Sequence, residues 1–269
     1  MLSQIKHPKY FELNNKINIP VDGKIPLKYD QQAIQAFLNE NVKPNLIRFR
    51  SLKERLNWLI KHNYYETGFL KRYPFHFVQK VYDYLKGAHF HFASFMAIYK
   101  FYKQYALKTN DGEHYLENYV DRLLCNALYL GDGNQKLAMQ LAHELIHQRY
   151  QPATPTFLNV GRKRRGEFVS CFLIQPTDNM DTIGRTINSA LELSKIGGGV
   201  GINLTNLRCA GDPIKGIMGA SSGVLPVMKL LEDSFSYVNQ LGQRPGAGAA
   251  YLNIFHWDIE EFLDTKKIN

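Results

Sequence analysis

The chain is poor in cysteine, with only Cys125, Cys171 and Cys209 among 269 residues. They lie too far apart for a C-x-x-C pair, so consecutive sequence writes neither a clustered zinc site nor a local dithiol motif. Three thiols and no secretory leader point away from a disulfide-stapled secreted fold and towards the reducing cytoplasm. No apolar run approaches the roughly 18 residues that would suggest a membrane span, and no internal repeat is present. No G-x-x-x-x-G-K-[ST] occurs, and the one glycine run loses the G-x-G-x-x-G spacing after Gly201, so two common phosphate-cradling fingerprints are missing. Acidic residues are the minority, 24 against 33 Lys and Arg, for a net charge of +9. The basic residues are scattered apart from Arg162-Lys163-Arg164-Arg165, which argues against nucleic acid as a partner. A modest positive excess suits a protein that handles small phosphorylated ligands.

With 45% apolar residues, the chain can bury the core of one or two domains. Residues 1–150 read as helical: apolar residues recur at three- and four-residue spacing over 52–62, 75–85, 93–105 and 115–130. The proline-containing segment 20–26 and the Thr109-Asn110-Asp111-Gly112 turn punctuate them. Residues 151–269 alternate strand-like and helical runs, the pattern of an α/β fold. Val224, Met228, Leu231, Phe235 and Val238 form a narrow stripe of the kind that packs one helix on another, within the chain or across a subunit interface.

The chemistry concentrates around Cys171. The run Phe168-Val169-Ser170-Cys171-Phe172-Leu173-Ile174 predicts a fully buried strand. A thiol held on a rigid strand beside a hydroxyl, with a Thr154-Pro155-Thr156 turn upstream, suits redox or radical chemistry. The competing reading is a small buried hydrophobe, as most unpaired cysteines are. Beyond it come Asp178, an amphipathic helix over 181–195, and Gly197-Gly198-Gly199 entering a second strand, where missing Cβ atoms allow close approach of a ligand. Cys125 lies in an apolar helical run and is expected in the core. Cys209 follows Arg208 and receives no role.

His143-Glu144-Leu145-Ile146-His147 spells the H-E-x-x-H of zinc hydrolases, in which two histidines one turn apart hold zinc and the glutamate activates water. No third ligand is evident in the sequence. His143 and His147 are therefore expected at the surface or in packing, with no metal site.

The segments ATPTFLNVGRKRRGEFVSCFL, LSKIGGGVGINLTNLR and RPGAGAAYLNIFHWDIEEFLDTKK, with FASFMAIYKFYKQYALKT before them, closely resemble the large (α) subunit of ribonucleotide reductase, most closely its class Ib form. The resemblance implies a helical N-terminal domain over 1–150, followed over 151–269 by the first part of a ten-stranded α/β barrel. Residues 6–22 resemble a shortened form of the domain that binds an activity effector in longer relatives. The implied activity is radical reduction of ribonucleoside diphosphates to deoxyribonucleotides for DNA synthesis. Cys171 matches the first cysteine of the redox-active pair, Thr154 and Ser170 the residues holding substrate, and Gly199 the backbone packing on the nucleotide. Asp178 matches the residue receiving the deoxyribose of the specificity effector and Arg208 an effector-binding arginine. Lys215 stands where some relatives carry a second arginine, keeping the charge without bidentate recognition. Gln243, Arg244 and Gly246 fall in the specificity loop.

In the family the radical cysteine, the disulfide partner and a C-terminal C-x-x-C tail come later than Asn269, so the reaction calls for a C-terminal part of the α subunit. The implied partners are that part, a small β subunit carrying a metal-linked tyrosyl radical, a thioredoxin- or glutaredoxin-like reductant, and a second α copy. ATP and deoxynucleoside triphosphates are the implied effectors, with no cofactor held by this chain. A non-catalytic nucleotide-binding remnant is the alternative reading, and a zinc hydrolase on His143, Glu144 and His147 the third.

Overall fold

The apolar spacing of the first half is realised as helices whose starts are fixed by side-chain caps. In a computed structural model of the chain, residues 8–17, 19–20, 22–24, 30–169, 171–240 and 244–267 are described. The elements are α1 (Lys9–Ile17), α2 (Gln31–Phe37), α3 (Lys43–Asn45), α4 (Leu52–Lys61), α5 (Phe75–Gly87), α6 (Phe95–Lys100), α7 (Tyr119–Gly131), α8 (Gln135–Ile146), α9 (Thr154–Asn159), β1 (Cys171–Ile174), α10 (Met180–Lys195), β2 (Gly199–Asn203), α11 (Leu225–Tyr237), β3 (Asn239–Gln240), β4 (Arg244–Pro245), β5 (Gly248–Tyr251) and α12 (Ile259–Asp264). They form two compact units, Met1–Pro152 with Phe157–Arg165, and Ala153–Thr156 with Gly166–Asn269.

In the first unit, Ser51, Ser94 and Asn134 each accept a hydrogen bond from the backbone three residues on, starting α4, α6 and α8. Asn118 and Asp121 form a reciprocal capping box at the start of α7. Helix α7 is buried on almost every side and packs against α5 and α8. Gly131 makes the last contact possible: a Cβ there would lie 2.7 Å from the Ala138 Cβ and from the Tyr73 hydroxyl. The helix expected over 93–105 is α6 followed by a π turn, Phe101–Tyr105. The helix expected from 115 begins at Tyr119, because Tyr115 bridges to Leu46 and Lys108 and Glu117 is drawn into the interior.

Glu117 is completely buried and lies at the centre of this unit. Its carboxylate accepts from the Tyr65 hydroxyl (2.5 Å), Arg122 Nη1 (3.1 Å), Arg162 Nη2 (2.7 Å) and the Leu107 amide (2.9 Å). The guanidiniums also donate to carbonyls: Arg122 to Leu158 and Val160, Arg162 to Tyr105. Beside them Arg55 pairs with Asp121 and donates to the Leu116 carbonyl. Burial alone would raise the Glu117 pKa, but Arg122 and Arg162 outweigh it and hold it at about 2.

In the second unit, β1, β2 and β5 form a parallel sheet in the order β1-β2-β5, with α10 joining β1 to β2 and α11 lying between β2 and β5. Val200, Ile202, Ala190 and Leu231 are the buried centre of its core, with Ile174, Ile187, Met228 and Phe235 packed around them. The Val224–Phe235 part of the apolar stripe is thus used within the chain.

Replacing Glu117 by Ala leaves two buried guanidiniums without their carboxylate and should destabilise the first unit by about 3–5 kcal/mol, read as a lowered urea midpoint. Because the folded-state pKa lies below the ordinary 4.5, the stability from Glu117 is complete above that value and is lost as pH falls through about 2. Acid titration of wild type should show this loss, and Glu117→Ala should lack it.

Candidate functional site

In a parallel sheet, residues paired across neighbouring strands share a face, and alternate residues point opposite ways. Cys171 is paired with Gly199 and Leu173 with Gly201; Gly201 is paired with Ala249 and Asn203 with Tyr251. These residues therefore line one face, while Phe172, Ile174, Val200, Ile202 and Ala250 point to the face covered by α10 and α11. A Cβ on Gly201 would come within 2.7 Å of Leu173 Cδ2 and 3.1 Å of Tyr251 Cε2, side chains of that first face. The Cys171 thiol thus lies on the side of the sheet opposite α10 and α11, in register with the glycine run.

The expectation of a fully buried strand over 168–174 is corrected. Only Cys171–Ile174 is strand, alternately exposed and half-buried; Cys171 is exposed and Leu173 is 82% exposed. β1 is an edge strand of the described sheet, and α10 and α11 pack on the face opposite Cys171 and Leu173, which are exposed. The reading of Cys171 as a buried hydrophobe falls with it. Thr154, expected in a turn, is the exposed first residue of α9, and Thr156 Oγ1 donates to the Phe168 carbonyl at 3.4 Å. Ser170 lies outside the described residues.

Two glycines of the run have a steric reason. Gly197 has a φ of +102°, which L side chains rarely adopt. A Cβ on Gly198 would lie 2.3 Å from the Phe172 ring. Gly199, half-buried, opens β2 opposite Cys171.

Asp178 and Arg208, thirty residues apart, are brought into direct contact. Arg208 Nε donates to Asp178 Oδ2 at 2.7 Å, the Arg208 amide to Oδ1 at 3.3 Å, and Nη1 to the Pro213 carbonyl at 2.8 Å. Both side chains are 34% exposed, beside Asn179, which caps α10 by accepting from the Thr182 amide. Lys215 is exposed, with a φ of +51°, in the turn bridged by Ile214 and Ile217. Arg208 thus holds the root of the loop that carries Lys215.

Gln243 lies outside the described residues, and Arg244 opens β4. Gly246 admits no side chain, since a Cβ would stand 2.4 Å from the Phe235 carbonyl oxygen and 2.8 Å from that of Val238.

Two residues gave no individual signal in the sequence. Asp258, buried, accepts from the Ala210 amide (2.9 Å) and the Val224 amide (3.0 Å). His256 accepts at Nδ1 from the Asp258 amide (3.1 Å), which leaves Nε2–H to donate to the Leu207 carbonyl (2.8 Å). Together they fasten both ends of the 207–224 segment; the His256-Trp257-Asp258 triplet was their only trace.

The H-E-x-x-H pattern does not build a hydrolase site. Both Glu144 oxygens are held by Arg149, at 2.7 and 2.9 Å. His147 Nδ1 faces the His143 carbonyl oxygen at 2.8 Å and His143 Nδ1 meets the Tyr84 hydroxyl. The grouping of three metal-capable side chains among the described residues is elsewhere, at Asp111, Glu113 and His114, all exposed. Cys125 is buried beside Glu117 and Arg122, and burial raises its pKa. Cys209 is half-buried, its pKa raised by a hydrogen bond to Asp212.

Three family descriptions match the chain in succession: ribonucleotide reductase N-terminal over residues 10–90, all-alpha domain over 91–165 and barrel domain over 169–269. The chain belongs to the ribonucleotide reductase family, in the N-terminal portion of its large α subunit. It is similar to the ribonucleoside-diphosphate reductase subunit alpha of Bacillus subtilis, 47% identical over 268 residues, covering 100% of this chain and 38% of that protein. The same-named subunit of Mycoplasma genitalium is 53% identical over 260 residues, 97% of this chain and 36% of that protein. The NrdEB subunit alpha of Bacillus subtilis is 48% identical over 262 residues, 97% of this chain and 24% of that protein. The chain thus spans between about a quarter and two fifths of the length of these relatives.

The three thiols should differ in reactivity. In the folded protein, an excess of Ellman reagent should modify Cys171 first, Cys209 more slowly and Cys125 only on unfolding, because attack needs both access and thiolate. Peptide mapping after timed quenching reads the order; early labelling of Cys125 would contradict the packing described.

Proposed function

We propose that the chain supplies the opening strands of the substrate barrel and the effector-reading segment of a class Ib ribonucleoside-diphosphate reductase α subunit. The observation that carries this reading is the register of Cys171 with Gly199 on the face of a parallel sheet opposite α10 and α11. A nucleotide can approach closely over a glycine, and a thiol paired with it reaches the same face. Residues 1–150 are then the helical N-terminal region with its partial activity-domain-like start, and 151–269 the first part of the barrel.

The substrate is a ribonucleoside diphosphate, with Thr154 and Ser170 at its phosphates and sugar and the Gly199 backbone against the nucleotide. In the net reaction the 2′-hydroxyl leaves as water and hydrogen takes its place at that carbon. Two thiols give up their hydrogens and two electrons and become a disulfide. Cys171 is one of them. The second thiol and the thiyl-radical cysteine belong to the remainder of an α subunit. A partner β subunit supplies the metal-linked tyrosyl radical, and a thioredoxin- or glutaredoxin-like protein reduces the disulfide.

Specificity effectors, ATP or deoxynucleoside triphosphates, bind where Asp178 meets Arg208. Asp178 receives the deoxyribose; Arg208 and Lys215 provide phosphate charge beside the N-terminus of α10. The Asp178–Arg208 contact already positions the arginine, so part of the cost of ordering it is met before ligand arrives. Gln243, Arg244 and Gly246 relay effector identity to the substrate base. An α dimer through α10 and α11 suits the side chains they leave uncovered, Met180, Leu230 and Tyr237, which are 81%, 53% and 86% exposed. The reducing cytoplasm suits a thiol that must cycle.

Two measurements test the reading. The chain with a β subunit and dithiothreitol should form no deoxynucleotide; adding a polypeptide that covers the remaining length of the Bacillus relative should restore turnover, and Cys171→Ser should abolish it. Deoxynucleotide formation without the added polypeptide would overturn the site assignment. Titration calorimetry with dATP should show binding weakened at least about tenfold by Arg208→Ala, the loss of a charge-assisted contact of about 1.5–3 kcal/mol, and weakened also by Asp178→Ala. Unchanged affinity in both variants would remove the effector assignment.

A further inference from the structure

The histidines at the end of α8 have no part in the reductase reading, yet their geometry is specific. We propose that His143 and His147 together bind one borderline transition-metal dication, of which Ni²⁺ is the probe of choice, at the surface of the first unit.

His143 lies in the last turn of α8 and His147 is its C-cap, so the two share one face of the helix end. Both are exposed, with ring centroids 4.4 Å apart and planes at 46°. Metal–imidazole bonds run about 2.0–2.1 Å, so two nitrogens belonging to rings this close can share one ion. An imidazole that binds metal through Nε2 must keep its proton on Nδ1. Here both Nδ1 atoms already face oxygen: the His143 carbonyl lies 2.8 Å from Nδ1 of His147, and the Tyr84 hydroxyl meets Nδ1 of His143. Such outer contacts fix the tautomer and orientation of metal-binding histidines. Among the described residues, neither Nε2 has a hydrogen-bond partner, so both lone pairs are left for an ion.

The chemistry of the pair selects the ion class. Imidazole nitrogens suit nickel, copper and zinc, whereas magnesium and calcium need oxygen ligands. Glu144 is turned to Arg149, which donates to both of its oxygens. The remaining coordination positions fall to water, and the site binds without the general base that the H-E-x-x-H pattern requires.

Titration calorimetry of the purified chain with NiCl₂ tests the proposal. One binding event per chain is expected, absent from both His143→Ala and His147→Ala. Tyr84→Phe should weaken it about tenfold, the usual effect of losing an outer contact to a ligating histidine. Cys171→Ser should leave it unchanged, which separates the imidazole pair from the exposed thiol. Circular dichroism establishes that each variant is folded, and His147→Gln replaces His147→Ala should the alanine variant unfold. A wild-type chain that takes up no Ni²⁺, or a folded His147 variant that titrates like wild type, overturns the proposal.

Discussion

A carboxylate without access to water, shared by two guanidiniums, is the constraint on which the helical unit depends. Glu117 comes from the loop before α7, Arg122 from the first turns of α7 and Arg162 from the segment after α9. Pairing alone would not recover the desolvation of these three charges. Every additional donor and acceptor therefore counts: the Tyr65 hydroxyl, the Leu107 amide and the carbonyls of Tyr105, Leu158 and Val160. Their positions are specified because any other placement strands a charge in an apolar interior. The late start of α7 follows, since a helix beginning at 115 would turn Glu117 away from this network.

The second unit is organised by exclusion of bulk. Its strands approach the helices and one another where glycine removes the side chain: Gly198 beneath the Phe172 ring, Gly201 between Leu173 and Tyr251, Gly248 against Phe235. One face gains a packed core of β-branched and aliphatic residues, and the other carries the Cys171 thiol beside Gly199 and Gly201, with the exposed Leu173 and Tyr251 side chains. That division, with Asp178 and Arg208 tied together at the edge, gives the unit a chemical side and a structural side.

Much of this was legible in sequence where local rules decide. The spacing of apolar residues located α4, α5, α10 and α11 to within a residue or two, and the Thr109–Gly112 turn closes with a 2.8 Å bond from the Gly112 amide to the Thr109 carbonyl. The order of the Cys171 strand, the glycine run and the 244–267 segment carried the family. Where long-range electrostatics decide, the sequence was mute. Arg162 opens a run of four consecutive cations that gives no hint of burial, yet it is 3% exposed, because its partner lies forty-five residues away. Burial of the Cys171 strand was overestimated, because an apolar run reports what a strand can bury and not whether both of its faces are covered. The H-E-x-x-H match lacked a third ligand already in sequence; only space shows that Arg149 holds both Glu144 oxygens.

The glycine contacts of the sheet have an evolutionary corollary. One of these glycines, Gly248, is confined by a single large neighbour, the Phe235 ring, whereas Gly198 also faces the Leu193 carbonyl oxygen. A methyl group at Gly248 is intolerable while the aromatic ring is present and becomes admissible once the ring shrinks. Gly248 and Phe235 are therefore inherited as a unit: the small-to-large change can be accepted only after, or together with, its large-to-small counterpart. Drift at this pair should proceed by paired exchange, with the aromatic position changing first.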